Sequence, residues 1–269
     1  MTDKLYGREH LCIRELLQNS LDALRYRKAL FREAGTGWSG GRVDLRHYVD
    51  SVGYEVLQCG DNGAGMDDDI IENHFVRIGS SYDRSPFFDQ ERKRLEQSGN
   101  DFDPCSKFGI GFMSCFMLGD RITIATRKDY GQGREWGPPL VVEIHGLSGL
   151  LVVRKGYESQ PVGTTVTIVC RQKPSLLDSW TDKVQLCRVL KGYALATEFP
   201  ISGKCEVEEI VDSVEIPPRL EKAPTLMEHA GLSSCISLEQ DLSAVSHNLG
   251  GYVRESLLVD DTGLPCLGN

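Results

Sequence analysis

The 269-residue chain lacks several things. No stretch approaches the ~18 consecutive apolar residues of a membrane-spanning helix. The first eight residues are polar and carry no apolar h-region, so no secretory signal is expected. Basic residues are not in excess: the formal net charge is -9, which disfavours nucleic-acid binding through a broad basic surface. No C-x-x-C pair occurs among the nine cysteines, at 12, 59, 105, 115, 170, 187, 205, 235 and 266. A zinc site or a disulfide framework is therefore not expected, and reduced thiols in a cytoplasmic setting are the simplest reading. Cys115 and Cys170 sit in apolar runs and read as small core residues. There is no G-x-x-x-x-G-K-[ST] loop, no strand-linked G-x-G-x-x-G, and no internal repeat.

What the chain does have is organised around R-E-L-L-Q-N-S-L-D-A-L, residues 14–24. At 3.6 residues per turn, Glu15, Asn19 and Asp22 fall on one face with Gln18 beside them. Ile13, Leu17, Leu21 and Leu24 fall opposite. The polar stripe carries amides where a solvated face usually mixes Lys and Glu. Two readings follow: an ordinary surface helix, or a face that looks into a cavity where Asn can ligate a metal and Glu can act as a base.

The rest reads as an alternation of strands and helices. A long helix spans 8–33 and is broken by Gly35, Gly37, Gly40 and Gly41. Strands at 43–49 and 54–58 form a hairpin that runs into D-N-G-A-G-M, residues 61–66. Asp67 to Asp69 look like the acidic first turn of a helix to about 77. Residues 79–106 are polar and long for a connection, as lids are. K-F-G-I-G-F-M, from Lys107, opens a helix to about 118. Strands follow at 121–127, 140–145, 150–154 and 164–170, with a Gly/Pro turn at 129–139. An amphipathic helix is expected at 178–196, a strand at 205–211, a linker at Ile216-Pro217-Pro218 and a last strand at 250–259.

Three glycine-bearing turns carry chemistry. In D-N-G-A-G-M, glycine permits positive φ and close backbone approach to a ligand, and Asp61 can accept a hydrogen bond from an amino group. An Asx-capped turn is the plainer alternative. In G-I-G-F, residues 109–112, backbone N–H groups at a helix start would cradle an anion; a tight turn into an apolar helix is the alternative. Lys107 beside it reads equally as a phosphate partner or a solvated lysine. G-T-T-V, residues 163–166, enters a strand and could bring Thr164 to the same amino group as Asp61.

These four segments, in this order and at these separations, resemble the GHKL ATPases with a Bergerat nucleotide fold: gyrase, the ninety-kilodalton heat-shock chaperones, histidine kinases and MutL. Residues 5–24 look most like the second helix of the heat-shock chaperones. The strand at 121–127 and the helix at 178–196, ending in E-F-P-I, are also similar to that family's nucleotide domain. The resemblance covers about residues 5–212.

The resemblance implies an α+β two-layer sandwich, a mixed and mostly antiparallel sheet with helices on one face. It implies ATP and Mg²⁺ as ligands and slow hydrolysis driving a conformational switch. It implies that Glu15 activates the attacking water, that Asn19 ligates Mg²⁺ and that Asp22 contacts nucleotide. Asp61 would read the adenine amino group. Gly63, Gly65, Met66 and Thr164 would line the base pocket, with Gly109, Ile110, Gly111 and Phe112 as the phosphate turn, Lys107 nearby and 79–106 as the lid. It divides the chain into a nucleotide domain, 1–212, and a linker with the start of a following domain, 213–269. A homodimer of the full-length protein and protein clients are the implied partners, with no membrane and no nucleic acid.

The family begins with a strand and a helix ahead of the matched region, whereas only Met1 to Lys4 precede it here. The expectation is a truncated chain, or one without the swapped strand, that binds nucleotide and turns it over slowly. Competing readings are a DNA-linked ATPase of the MutL or gyrase type, a histidine kinase domain, a nucleotide-binding module without catalysis, and a specialised relative that is not a general chaperone. The acidic balance opposes the first, and Glu15 the next two.

Overall fold

The computed structural model describes residues 11–72, 93–94, 111–131, 133–146, 150–170, 185–194, 197–207, 210–218, 235–237 and 256–258. Its frame is one eight-stranded sheet, β1 (Val43–Val49), β2 (Glu55–Asp61), β3 (Arg121–Arg127), β4 (Leu140–His145), β5 (Leu150–Lys155), β6 (Gly163–Val169), β7 (Ile201–Val207) and β8 (Ile210–Ile216). Their spatial order is β5-β4-β3-β6-β2-β1-β7-β8. All neighbours pair antiparallel except β1 and β7, which are parallel. The expected mixed, mostly antiparallel sheet is the one observed.

Strand alternation gives the sheet two different faces. Leu45, Cys59, Val166, Ile124 and Val142 align across β1, β2, β6, β3 and β4 on the inner face and are buried. The outer face is polar, with Gln58 donating to Thr167 at 3.1 Å, Ser202 to Asp44 at 2.7 Å and Arg46 to Glu206 at 3.1 Å.

Helices cover the inner face. Helix α1 (Leu11–Glu33) inserts Ile13, Leu16, Leu17 and Leu24 into the core and packs on β1 and β2. Truncating one such leucine to alanine costs about 2–5 kcal/mol. Helix α2 (Asp68–Ile70) is started by the Asp67 carboxylate accepting from the Ile70 N–H at 3.0 Å, and residues 73–77 of the helix expected there lie outside the described residues. A 3-10 turn (Gly111–Ser114) leads into the one-turn helix α3 (Cys115–Leu118), and both pack against α1. Helix α4 (Gln185–Tyr193) lies on β7 and β8.

The strands at 43–49, 121–127 and 140–145 have the bounds read from the sequence. The strand expected at 205–211 is a correction. Those residues end β7 and begin β8, which pair antiparallel from Val207 and Ile210 outward. C-E-V-E-E-I-V contains no Gly or Pro to mark the reversal, although its alternation breaks at Glu208-Glu209. The helix expected from 178 to 196 ends at Tyr193, where Ala194 N–H still bonds to Leu190 O at 2.8 Å; residues 178–184 lie outside the described residues. In the last region β10 (Ser256–Leu258) pairs with β9 (Cys235–Ser237). The main sheet itself continues to Ile216, four residues beyond 212.

Candidate functional site

The candidate site forms where the C-terminal end of β2 meets the middle of α1. β2 ends at Asp61, which lies opposite Thr164 of β6, and Thr164 lies opposite Thr126 of β3. These three polar side chains form a row across the end of the inner face, where the strands behind them carry Cys59, Val166 and Ile124. Asp61 Oδ2 accepts from Ser20 Oγ of α1 at 3.1 Å, and Oδ1 accepts from the Gly63 N–H at 2.8 Å. Thr126 Oγ1 lies 3.0 Å from Thr164 Oγ1 and accepts the Met66 N–H at 2.8 Å.

The turn after Asp61 is built for close approach. Gly63 faces the Ala23 backbone of α1, where an added Cβ would come within 2.6 Å of the Ala23 carbonyl carbon. Gly65 has φ +64°, and a Cβ there would overlap the Arg127 carbonyl. Ala64 closes the turn, its N–H bonding to Ala23 O at 3.0 Å and its carbonyl accepting the Asp129 N–H at 2.8 Å.

The Asp61 carboxyl is desolvated. Burial pushes its carboxyl up to about 7, against the pull of the Gly63 N–H, Ser20, the Thr164 N–H and the field of Arg27. No described Lys, Arg or His forms an ion pair with it. A desolvated carboxylate with spare lone pairs is a strong acceptor for an amino group delivered by a ligand.

The remaining sequence-read residues are distributed around this core. Glu15 is half-buried on α1 and takes the Arg14 guanidinium at 2.7 Å. Asn19 is half-buried, one residue before Ser20. Asp22 is buried and bonds Arg25 Nη1 at 3.0 Å; Arg25 also reaches Glu198 at 3.3 Å. Gly111 and Phe112 begin the 3-10 turn, and Phe112 meets Phe116 edge-on with centroids 6.3 Å apart. Lys107, Gly109 and Ile110 lie outside the described residues, as does the lid at 79–106 apart from 93–94. The contacts join Asp61, Gly63, Met66 and Thr164 into one cluster.

Sequence reasoning passed over four residues. Ser20 lies inside the first motif but on the apolar side of the helix. Thr126 is the last inward residue of its strand, and only the β3–β6 register places it beside Thr164. Arg27 and Asp129 are 102 residues apart and meet at 2.9 Å. No periodic signal links them.

The mixed, mostly antiparallel sheet, with an inward carboxylate at a strand end, a glycine turn behind it and an amphipathic helix across it, is consistent with the GHKL ATP-binding fold. Residues 9–136 match the family model described as Histidine kinase-, DNA gyrase B-, and HSP90-like ATPase. The chain carries this fold and is related to the nucleotide-binding domain of the HtpG chaperones. It is 28% identical over 208 residues to the chaperone protein HtpG of Frankia casuarinae, covering 75% of this chain and 30% of that protein. It is 26% identical to HtpG of Bacillus velezensis, covering 79% and 32%, and 24% identical to the mitochondrial heat shock protein 90-6 of Arabidopsis thaliana, covering 75% and 24%. The chain thus spans about a third or less of the length of these relatives.

Proposed function

We propose that this chain binds ATP at the Asp61 end of the sheet and hydrolyses it slowly with Mg²⁺, as the nucleotide domain of a chaperone-like conformational switch. The observation that supports this best is the desolvated Asp61 carboxylate, oriented by Ser20 and the Gly63 N–H and flanked by Thr164. It suits the amino edge of adenine. Gly65 and Met66 complete the base pocket, and Asp22 borders the nucleotide.

No group of three His, Cys, Asp or Glu side chains among the described residues could hold a metal by itself. A hard cation that keeps its waters and is held chiefly by phosphates suits this, with the Asn19 amide oxygen as the protein's contribution. Such an ion supplies charge neutralisation at the phosphates. Glu15, one helical turn from Asn19, orients the water and takes its proton. Its pairing with Arg14, whose side chain is 45% exposed, is of the surface type worth about 0–1 kcal/mol, so it does not prevent this. Gly109 to Phe112, with Lys107, cradle the phosphates, and 79–106 close over them.

The domain extends to the end of the sheet, and the residues beyond begin a following domain. Its partners are a second copy in the full-length protein and protein clients, in the cytoplasm. No helix among the described residues is long and apolar enough to cross a membrane.

Calorimetric titration of the purified chain with ADP and with ATP tests this reading. Binding by the wild type, its loss in Asp61→Asn, and retained binding without turnover in Glu15→Ala are expected. Unchanged affinity in Asp61→Asn would remove the pocket assignment.

A further inference from the structure

The turn that carries Asp61 is strapped to α1 by a buried ion pair that the nucleotide chemistry does not itself require. Arg27 lies two turns beyond Ser20 on α1, with a side chain only 11% exposed. Its Nη1 donates to the Asn62 carbonyl at 2.7 Å, and its Nε donates to Asp129 Oδ2 at 2.9 Å. The guanidinium also sits 5.1 Å from the Trp38 ring and 5.8 Å from that of Phe31. Asp129 is buried too; its other oxygen accepts the Gly131 N–H at 2.9 Å, and its own N–H holds Ala64 O. The Asn62 side chain ties the same turn outward, accepting from the Arg42 N–H at 2.8 Å and donating to Gly40 O at 2.6 Å.

We propose that Arg27 and Asp129 are a positioning pair, which fixes the turn 62–64 and sets the electrostatic field at the neighbouring Asp61 carboxyl, the acceptor for the amino group of the base. This rests on the nucleotide reading above.

The groups that bear on Asp61 come from every side: Ser20 and Arg27 on α1, Thr164 on β6, Cys59 on its own strand, and Asp129 behind Arg27. Arg27 supplies positive potential and Asp129 partly cancels it. Removing each must therefore move the Asp61 titration in opposite directions. Damage to packing would move both the same way.

The test follows the Asp61 side-chain carboxyl carbon by NMR against pH in the unliganded chain, alongside ADP affinity at each pH. In Arg27→Met the Asp61 midpoint rises, and ADP binds about fivefold more weakly at pH 7, as a rise of roughly one pH unit requires. Much of that loss recovers near pH 8.5. In Asp129→Asn the midpoint falls. In Arg27→Lys the charge remains, so the midpoint stays near the wild-type value while the Asn62 clamp loosens. Should Arg27→Met fail to fold, Asp129→Asn and Arg27→Lys carry the test. Midpoints that do not move, or that move together, would overturn the proposal. If the wild type binds no ADP, the nucleotide reading fails, and the NMR midpoints still decide the role of the pair.

Discussion

The inner face of the sheet carries a polar row at each end, and the two rows behave differently. At one end lie Asp61, Thr164 and Thr126. Towards the other, His47, Cys205 and Asp212 stand in register on β1, β7 and β8, with Glu55 of β2 diagonal to His47. In the second row the groups satisfy each other. His47 Nε2 is 3.4 Å from Glu55 Oε2, and Nδ1 is 3.7 Å from Cys205 Sγ. Burial opposes charge on His47, but the bonds to Cys205 and Glu55 prevail and raise it to about 9. The same pairing holds Glu55 below its ordinary range. Cys187 of α4 lies over this end, its thiol pushed up to about 11 by burial and then by Asp212.

Asp61 has no such counter-charge in its own row, and its carboxyl rises instead of falling. A polar row that is charge-matched within itself stabilises the fold. A row left with a desolvated carboxylate and spare acceptor capacity is suited to a ligand. Arg27 is the exception that sharpens the contrast, since it acts on Asp61 through the turn and its field without a direct ion pair.

The comparison can be broken most directly by exchanging sites. Asp61→Asn should weaken ADP at least a hundredfold, because a buried site built to accept a hydrogen bond is left with the wrong partner. His47→Leu should leave ADP affinity within about twofold; an equal loss in both variants, measured by calorimetry, would erase the distinction. Thermodynamic stability should show the reverse order. His47→Leu should cost about 2 kcal/mol at pH 6, read from urea unfolding, as hydrogen bonds to a charged group are lost.

Because the folded pKa of His47 is raised, its contribution is full below about pH 6.5 and disappears as pH climbs through about 9. The cost of His47→Leu should shrink accordingly at pH 9.5. Asp61 gives the complementary profile. Its folded pKa is raised above that of the unfolded chain, so the ligand-free protein loses stability as pH rises from about 4 to about 7. Asp61→Asn should therefore raise the melting temperature by a few degrees at pH 8 and have little effect at pH 4. A stability gain that did not depend on pH would contradict this. A smaller effect than that of Asp61→Asn is expected for Ser20→Ala, which removes one of the donors to Asp61 and should weaken ADP about tenfold or less.

Much of the frame was legible before the structure. Residues 14–24 have an apolar stripe of helical period, and α1 buries Ile13, Leu17 and Leu24 as that stripe requires. Short runs bounded by turns located most of the strands. Reading failed where one strand was drawn through a reversal, between β7 and β8, and where a helix was extrapolated past its end at Tyr193. The site was legible in part: Asp61, Gly63, Gly65, Met66 and Thr164 announce themselves by residue type beside a strand end. Ser20 and Thr126 do not, since a hydroxyl on an apolar face becomes meaningful only when its neighbour is known.

The sequence by itself determined the helix, the strands, the glycine turn and the carboxylate at the end of β2, because each depends on residues within a few positions of one another. Only the tertiary structure decided which polar groups meet. Cys205 joins His47 across 158 residues, Arg27 joins Asp129 across 102, and Ser20 reaches Asp61 across 41. Those pairings follow from strand order and register, which set the burial and field at each carboxylate. That is why one end of the face balances its charges and the other holds a carboxylate suited to a ligand.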